Sequence, residues 1–191
     1  MALDSESRWR LVRMMKAKGQ SSQSSSELVI RGATSQDLTA MVEIYNYYIQ
    51  NSVVTFDLDQ MNLEDWAAKY KWITELGLPF IVAETSTKQV IGFAYVAPWR
   101  QKAAFKRTVE DSIYLRPAAI GKRVGTKLLA ELLEQAKAAG VKEVVAVISD
   151  KGAESSIALH ERFGFKHQGH LGKVGFKFGR WLGTVLMQKS L

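Results

Sequence analysis

The sequence contains no cysteine. Disulfides, zinc–thiolate sites and thiol nucleophiles are thereby excluded. No apolar run approaches the roughly 18 residues of a membrane span, so no span is expected. The opening stretch, MALDSESRWR, lacks an apolar h-region. No secretory leader is expected there, and a cytoplasmic protein is the default expectation. Acidic residues are the scarcer charge: 19 Asp and Glu against 26 Lys and Arg, a formal net charge of +7 at pH 7. Such a balance implies anionic company, whether nucleic acid, a membrane surface or a polyanionic cofactor. The basic residues are not interleaved with aromatics as a stacking motif for RNA, so nucleic acid is not the expected partner. His167 and His170 are three apart on an expected strand and would face opposite sides, so no metal site is expected. Ser156 and His160 lie one helical turn apart, but no nucleophile elbow accompanies them and no acid partner is evident.

What is present is a chain able to fold. At 191 residues and 47% hydrophobic content it fits one domain with a real core. Residues 1–27 stand apart: SRWRLVRMMKAKG reads as a short basic helix, and QSSQSSSE as a flexible polar linker. The folded domain is expected over 28–191. LVIRGA reads as a strand, and TSQDLTAMVEIYNYYIQ as a helix capped by Thr34 with Asp37 three residues on. NLEDWAAKYKWITELG reads as a helix capped by Asn62 and stopped at Gly77. FIVAE and VIGFAYVA form a hairpin around TSTKQ, and RTVEDSIYL is a longer strand. The next helix carries Leu128, Leu129, Leu132, Leu133 and Ala136 on one face and ends at Gly140. VKEVVAVIS is a continuous apolar run, as for a strand covered on both faces. A short helix, ESSIALHERFG, and two final strands complete the order β-α-α-β-β-β-α-β-α-β-β. That order predicts an α/β or α+β arrangement, a mixed sheet with helices on both sides. Anion sites in such folds lie where a strand ends and the next helix begins, the place that residues 121–126 occupy.

Four stretches carry a resemblance: TVEDSIYLRP, then GKRVGTKLL, then SIALHERFGF, then VGFKFGRW. In this order they resemble the phosphinothricin-acetyltransferase-like branch of the GNAT superfamily, the acyl-CoA-dependent N-acyltransferases. The likeness covers roughly residues 28–190. It implies a mostly antiparallel sheet splayed between its fourth and fifth strands, acetyl-CoA as co-substrate without a metal, a small amine carrying an acidic group as acceptor, and a homodimer. The family turn usually reads Gln or Arg, two variable residues, Gly, one variable residue, then Gly or Ala. Here those signature positions are Ile120, Arg123 and Gly125, and an Asn common at the next helix start is Ala153. Backbone amides at a helix N-terminus hold a diphosphate whatever the side chain. Gly121, Lys122, Arg123, Val124, Gly125 and Thr126 are therefore the expected cofactor cradle, and the Arg123 side chain is expected to point outward and add charge if its φ stays negative.

The resemblance points to Glu110 as the base that takes the amine proton. On a regular strand Glu110, Ser112 and Tyr114 share one face, and Asp111 falls on the apolar one. A bulge there would re-aim the chain, and Asp111 stays open as the competing carboxylate. Amides of Ile113, Tyr114 and Leu115 are the expected donors to the thioester carbonyl. His160 is the candidate donor to the departing thiolate, where many relatives place a Tyr. The likeness matches Arg100 to an acid-binding arginine, a role its planar fork suits. Phe56 and Trp99 would wall the pocket, and Lys102 would add charge at its entrance. The expected function is acetylation of an amino acid or a toxic analogue such as phosphinothricin or methionine sulfoximine. Protein N-termini as acceptors, or a module that binds acyl-CoA without turnover, are the alternatives.

Overall fold

Thr34 and Asp37 open the first helix as their spacing predicts: the Asp37 carboxylate accepts from the Thr34 amide at 2.8 Å. One 3-10 turn, Ser35–Asp37, precedes the α-helix proper. The computed structural model describes residues 28–191, and the basic helix and linker expected over 1–27 lie outside the described residues. Seven strands and four α-helices follow in the expected order. They are β1 (Val29–Gly32), α1 (Leu38–Asn51), α2 (Leu63–Glu75), β2 (Phe80–Glu84), β3 (Val90–Pro98), β4 (Thr108–Leu115), α3 (Val124–Ala138), β5 (Glu143–Ser149), α4 (Glu154–Arg162), β6 (Lys166–Lys177) and β7 (Arg180–Ser190).

The strands form one sheet in the order β1-β2-β3-β4-β5-β7-β6. Every neighbouring pair is antiparallel except β4 and β5. Two cores result, one on each face. On one side α3 buries Leu128, Leu129, Leu132, Leu133 and Ala136, the stripe its periodicity predicts, against β5 residues such as Val144 and Ala146. Each of the four leucines contributes roughly 1.5–3 kcal/mol on burial. The other side is aromatic. Trp66 of α2 stands edge-on to Tyr45 of α1 and Phe93 of β3, each at 5.3 Å between ring centroids. No helix among the described residues is long and apolar enough to cross a membrane.

The bulge expected near Asp111 is absent. β4 pairs with β3 in one unbroken register, from Pro98↔Val109 to Gly92↔Leu115. Asp111 therefore keeps the regular alternation and enters the apolar face. Its burial is made tolerable by a partner from α4 rather than by a change in the strand.

Candidate active site

The parallel ladder between β4 and β5 is short. Thr108, Val109 and Glu110 pair with Glu143, Val144 and Val145, and the pairing then ends. β4 runs on to Leu115, while β5 runs on to Ser149 paired with β7. The two strands part like a fork, with Glu110 at its crotch. A cleft of about 730 Å³ opens there, within the range of small-molecule and cofactor sites.

Strand parity decides which main-chain groups face the gap. Arg116 N–H donates to Ile91 O at 2.8 Å, and Trp99 N–H donates to Thr108 O at 3.1 Å. Antiparallel pairs alternate, so Glu110, Ser112 and Tyr114 exchange their hydrogen bonds with β3. Val109, Asp111, Ile113 and Leu115 turn theirs toward β5. Beyond the crotch, the amides of Ile113 and Leu115 thus point into the cleft. The Tyr114 amide, expected to join them, is held in the ladder with Phe93. Its ring packs instead against Tyr45, at 4.9 Å, and Phe93, at 5.5 Å. Tyr48 of α1 adds a group that sequence reading missed: its hydroxyl donates to Leu115 O at 2.7 Å. Its position in the apolar pattern of α1 signalled packing only.

The cleft's second wall is the head of α3. Its first intrahelical bond runs from Lys127 N–H to Arg123 O, at 3.2 Å. The amides of Val124, Gly125 and Thr126 precede that bond and have no main-chain acceptor, nor do those of Gly121 and Arg123. All five residues line the cleft. Lys122 differs from expectation: its amide bonds Ala119 O at 3.4 Å. The condition set for Arg123 also fails, since its φ is +61°. Gly121 stands at +78°. Two left-handed residues separated by one turn the amides of the helix head outward, and at position 123 an L side chain costs about 1–2 kcal/mol. The positive end of the helix dipole is directed at the same place. Ala153, at the start of α4, is buried and has no polar atom to cap that helix.

Two adjacent carboxylates sit at the crotch. Glu110 lies opposite Ala97 on β3 and Val145 on β5. Burial raises its pKa, the neighbouring Asp111 carboxylate raises it further, and Lys69 and Arg100 hold it back. A carboxylate raised in this way is suited to accept a proton near neutral pH. Asp111 points to the other face and meets His160, Nε2 to Oδ2 at 2.9 Å. The other ring nitrogen, Nδ1, lies 2.7 Å from Ser156 O. Sequence reading found no acid partner for the Ser156–His160 pair; Asp111, 49 residues from His160, is that partner. The three do not make a nucleophilic triad. A carbonyl only accepts, so Nδ1 carries a hydrogen and donates it to Ser156 O, while Ser156 Oγ lies at 3.5 Å.

The remaining candidates stand further out. Arg100 stacks on Trp99, 4.8 Å from ring centroid to guanidinium, on the exposed connection between β3 and β4, close enough to act on Glu110 by charge. Lys102 is exposed on the same connection. Phe56 packs against the backbone of Gly175, where an added Cβ would fall 2.6 Å from its ring. Lys69 of α2, which no sequence signal marked, donates to Tyr95 hydroxyl at 2.7 Å. Tyr95 lies opposite Ser112, two pairs along from Ala97 and Glu110 and therefore on the same face.

Known proteins share this arrangement. The acetyltransferase (GNAT) family profile matches residues 41–165. A phosphinothricin N-acetyltransferase of Alcaligenes faecalis is 36% identical over 162 residues, 85% of this chain and 82% of that protein. An L-methionine sulfoximine/L-methionine sulfone acetyltransferase of Pseudomonas aeruginosa is 37% identical over 162 residues, 85% of this chain and 94% of that one. The phosphinothricin acetyltransferase of Sinorhizobium meliloti, solved in complex with acetyl-CoA, superposes with a TM-score of 0.82 at 41% identity, covering 86% of this chain and 88% of that one. The forked sheet and the amide-rich helix head are those of a GNAT domain, and the chain belongs to the GNAT family as an acyl-CoA-dependent N-acetyltransferase.

Proposed function

We propose that the protein transfers an acetyl group from acetyl-CoA to the amine of a small acceptor that carries an acidic group, an amino acid or an analogue such as phosphinothricin or methionine sulfoximine. The observation that carries this reading is the cleft itself: five outward amides at one end, and a raised carboxylate at the other. The residues fit the co-substrate, since amides at a helix N-terminus suit a diphosphate. When bound, acetyl-CoA supplies the acetyl group as a thioester. Gly121, Arg123, Val124, Gly125 and Thr126 would hold its diphosphate by their amides. The amides of Ile113 and Leu115 are placed to receive the carbonyl oxygen as it gains negative charge.

Glu110 takes a proton from the acceptor's ammonium, directly or through water, and leaves the neutral amine that forms the C–N bond as the C–S bond breaks. Asp111, the rival carboxylate, is engaged with His160 and is the weaker candidate. His160 lines the cleft and is the proton source for the departing thiolate, at the expense of its contact with Asp111. Arg100, with Lys69 on the neighbouring helix, favours acceptors that carry an acid and disfavours polyamines by charge. Trp99 and Lys102 form the outer rim, and Phe56 packs against Gly175 of β6.

A thiol-release assay with acetyl-CoA and a panel of acceptors tests this. Phosphinothricin, methionine sulfoximine or a free amino acid should release thiol where spermidine and a peptide N-terminus do not. Glu110→Gln should lower kcat by about 10²- to 10⁴-fold with little change in KM for acetyl-CoA. An unchanged kcat removes Glu110 from the mechanism. Binding without release across the panel would favour a non-catalytic acyl-CoA module.

A further inference from the structure

The buried pair behind the base has a consequence of its own. Asp111 and His160 are 7% and 3% exposed. Both ring nitrogens of His160 face acceptors, the Ser156 carbonyl and the Asp111 carboxylate. With both hydrogens donated the imidazole is a cation, and Asp111 is its anion. Phe165 closes the ring edge-on at 4.8 Å. Asp111 Oδ1 is buried with no hydrogen-bond partner, so the carboxylate is held by one oxygen only. The pair lies one residue past the last β4–β5 ladder pair, Glu110↔Val145, where no main-chain bond ties the two arms of the fork.

We propose that Asp111 is a positioning residue of the acetyl transfer: with His160 it ties α4 to β4 at the crotch of the fork, and it fixes a negative charge next to Glu110. The proposal rests on Glu110 being the base. The charged groups around Glu110 are Asp111 on its own strand, Lys69 from α2 and Arg100 from the β3–β4 connection, and Tyr95 of β3 lies on the same face. Of these, Asp111 is the one anion, and the His160 imidazolium that faces it from α4 offsets part of its charge from the side away from Glu110. Asp111 adds to the effect of burial on Glu110 and opposes the two cations.

The pH dependence of kcat/KM for the acceptor, at saturating acetyl-CoA, tests the charge role. Asp111→Asn keeps the shape and a hydrogen bond to His160 but removes the charge. Its acidic limb should move down by about one pH unit, the order expected between carboxylates on successive strand residues. An active variant whose limb coincides with the wild-type limb overturns the proposal. A purely structural residue would alter melting temperature without moving the limb. Should the variant fail to fold, the wild-type protein decides: with three histidines in the chain, ¹⁵N spectra should show His160 protonated at both ring nitrogens at pH 7, and a single neutral tautomer contradicts the ion pair. Glu110→Gln separates the two readings. If its residual activity loses the limb while Asp111→Asn leaves it in place, this proposal alone fails. A limb that survives in Glu110→Gln removes the base and the proposal with it.

Discussion

Arg123 shows how a residue can depart from a motif without abolishing its geometry. The turn needs a left-handed backbone at this position, and φ of +61° is met by an arginine where glycine would adopt it without strain. Arg123→Gly is therefore expected to raise unfolding stability by up to about 1 kcal/mol, read by denaturant titration without ligand; a loss of stability would show that the arginine side chain anchors the turn. At this scale the sequence was uneven. The place of Glu110 on β4 was legible because its motif is local, and that of Gly125 at the helix head because the turn fixes it. The φ of Arg123 was not, since an L residue in that region is the exception. Asp111 was read as awkward on an apolar face, correctly, but its partner comes from another element, and no spacing in the chain announces it.

Elements were more legible than residues, because periodicity and caps are local. The stripe of α3, the Thr34–Asp37 and Asn62–Asp65 capping boxes and the two-sided burial of β5 all follow from patterns within one segment. The regularity of β4 did not, since a tertiary contact between α4 and β4 removed the reason to bulge. The β6–β7 hairpin shows a packing limit that a sequence does not print. A Cβ at Gly183 would fall 2.5 Å from Leu171 O and 2.6 Å from Asp150 Oδ2. The Gly183 amide itself donates to Asp150 Oδ1 at 2.9 Å. Gly183→Ala should therefore destabilise by about 1–3 kcal/mol, whereas Gly125→Ala should be mild, since its nearest neighbour, Leu159, would stand at 3.5 Å. Equal melting temperatures for the two variants would contradict this ranking.

For the whole molecule, the buried pair links stability to pH. The Asp111 carboxylate raises the pKa of His160 above its ordinary value, against the opposing effect of burial. A raised histidine contributes stability that is fully present below its unfolded value of about 6.5 and is lost as pH rises through the folded value. Melting temperature should fall as pH rises from about 6.5, and His160→Gln should flatten that slope; parallel slopes would show that other groups set it. The edge hairpin also bears on assembly: Val174, Phe176, Phe178 and Trp181 are each more than half exposed on β6, β7 and their turn, an apolar surface suited to a second copy of the chain. We propose a homodimer on this basis, and light scattering after Trp181→Lys should report a monomer. All of the chemistry depends on the head of α3 taking up a diphosphate although Ile120 and Arg123 replace the usual residues. Calorimetry with acetyl-CoA and the wild-type protein measures this directly: binding should be saturable, one-to-one and weaker as salt is raised, and no heat of binding at millimolar acetyl-CoA would contradict it.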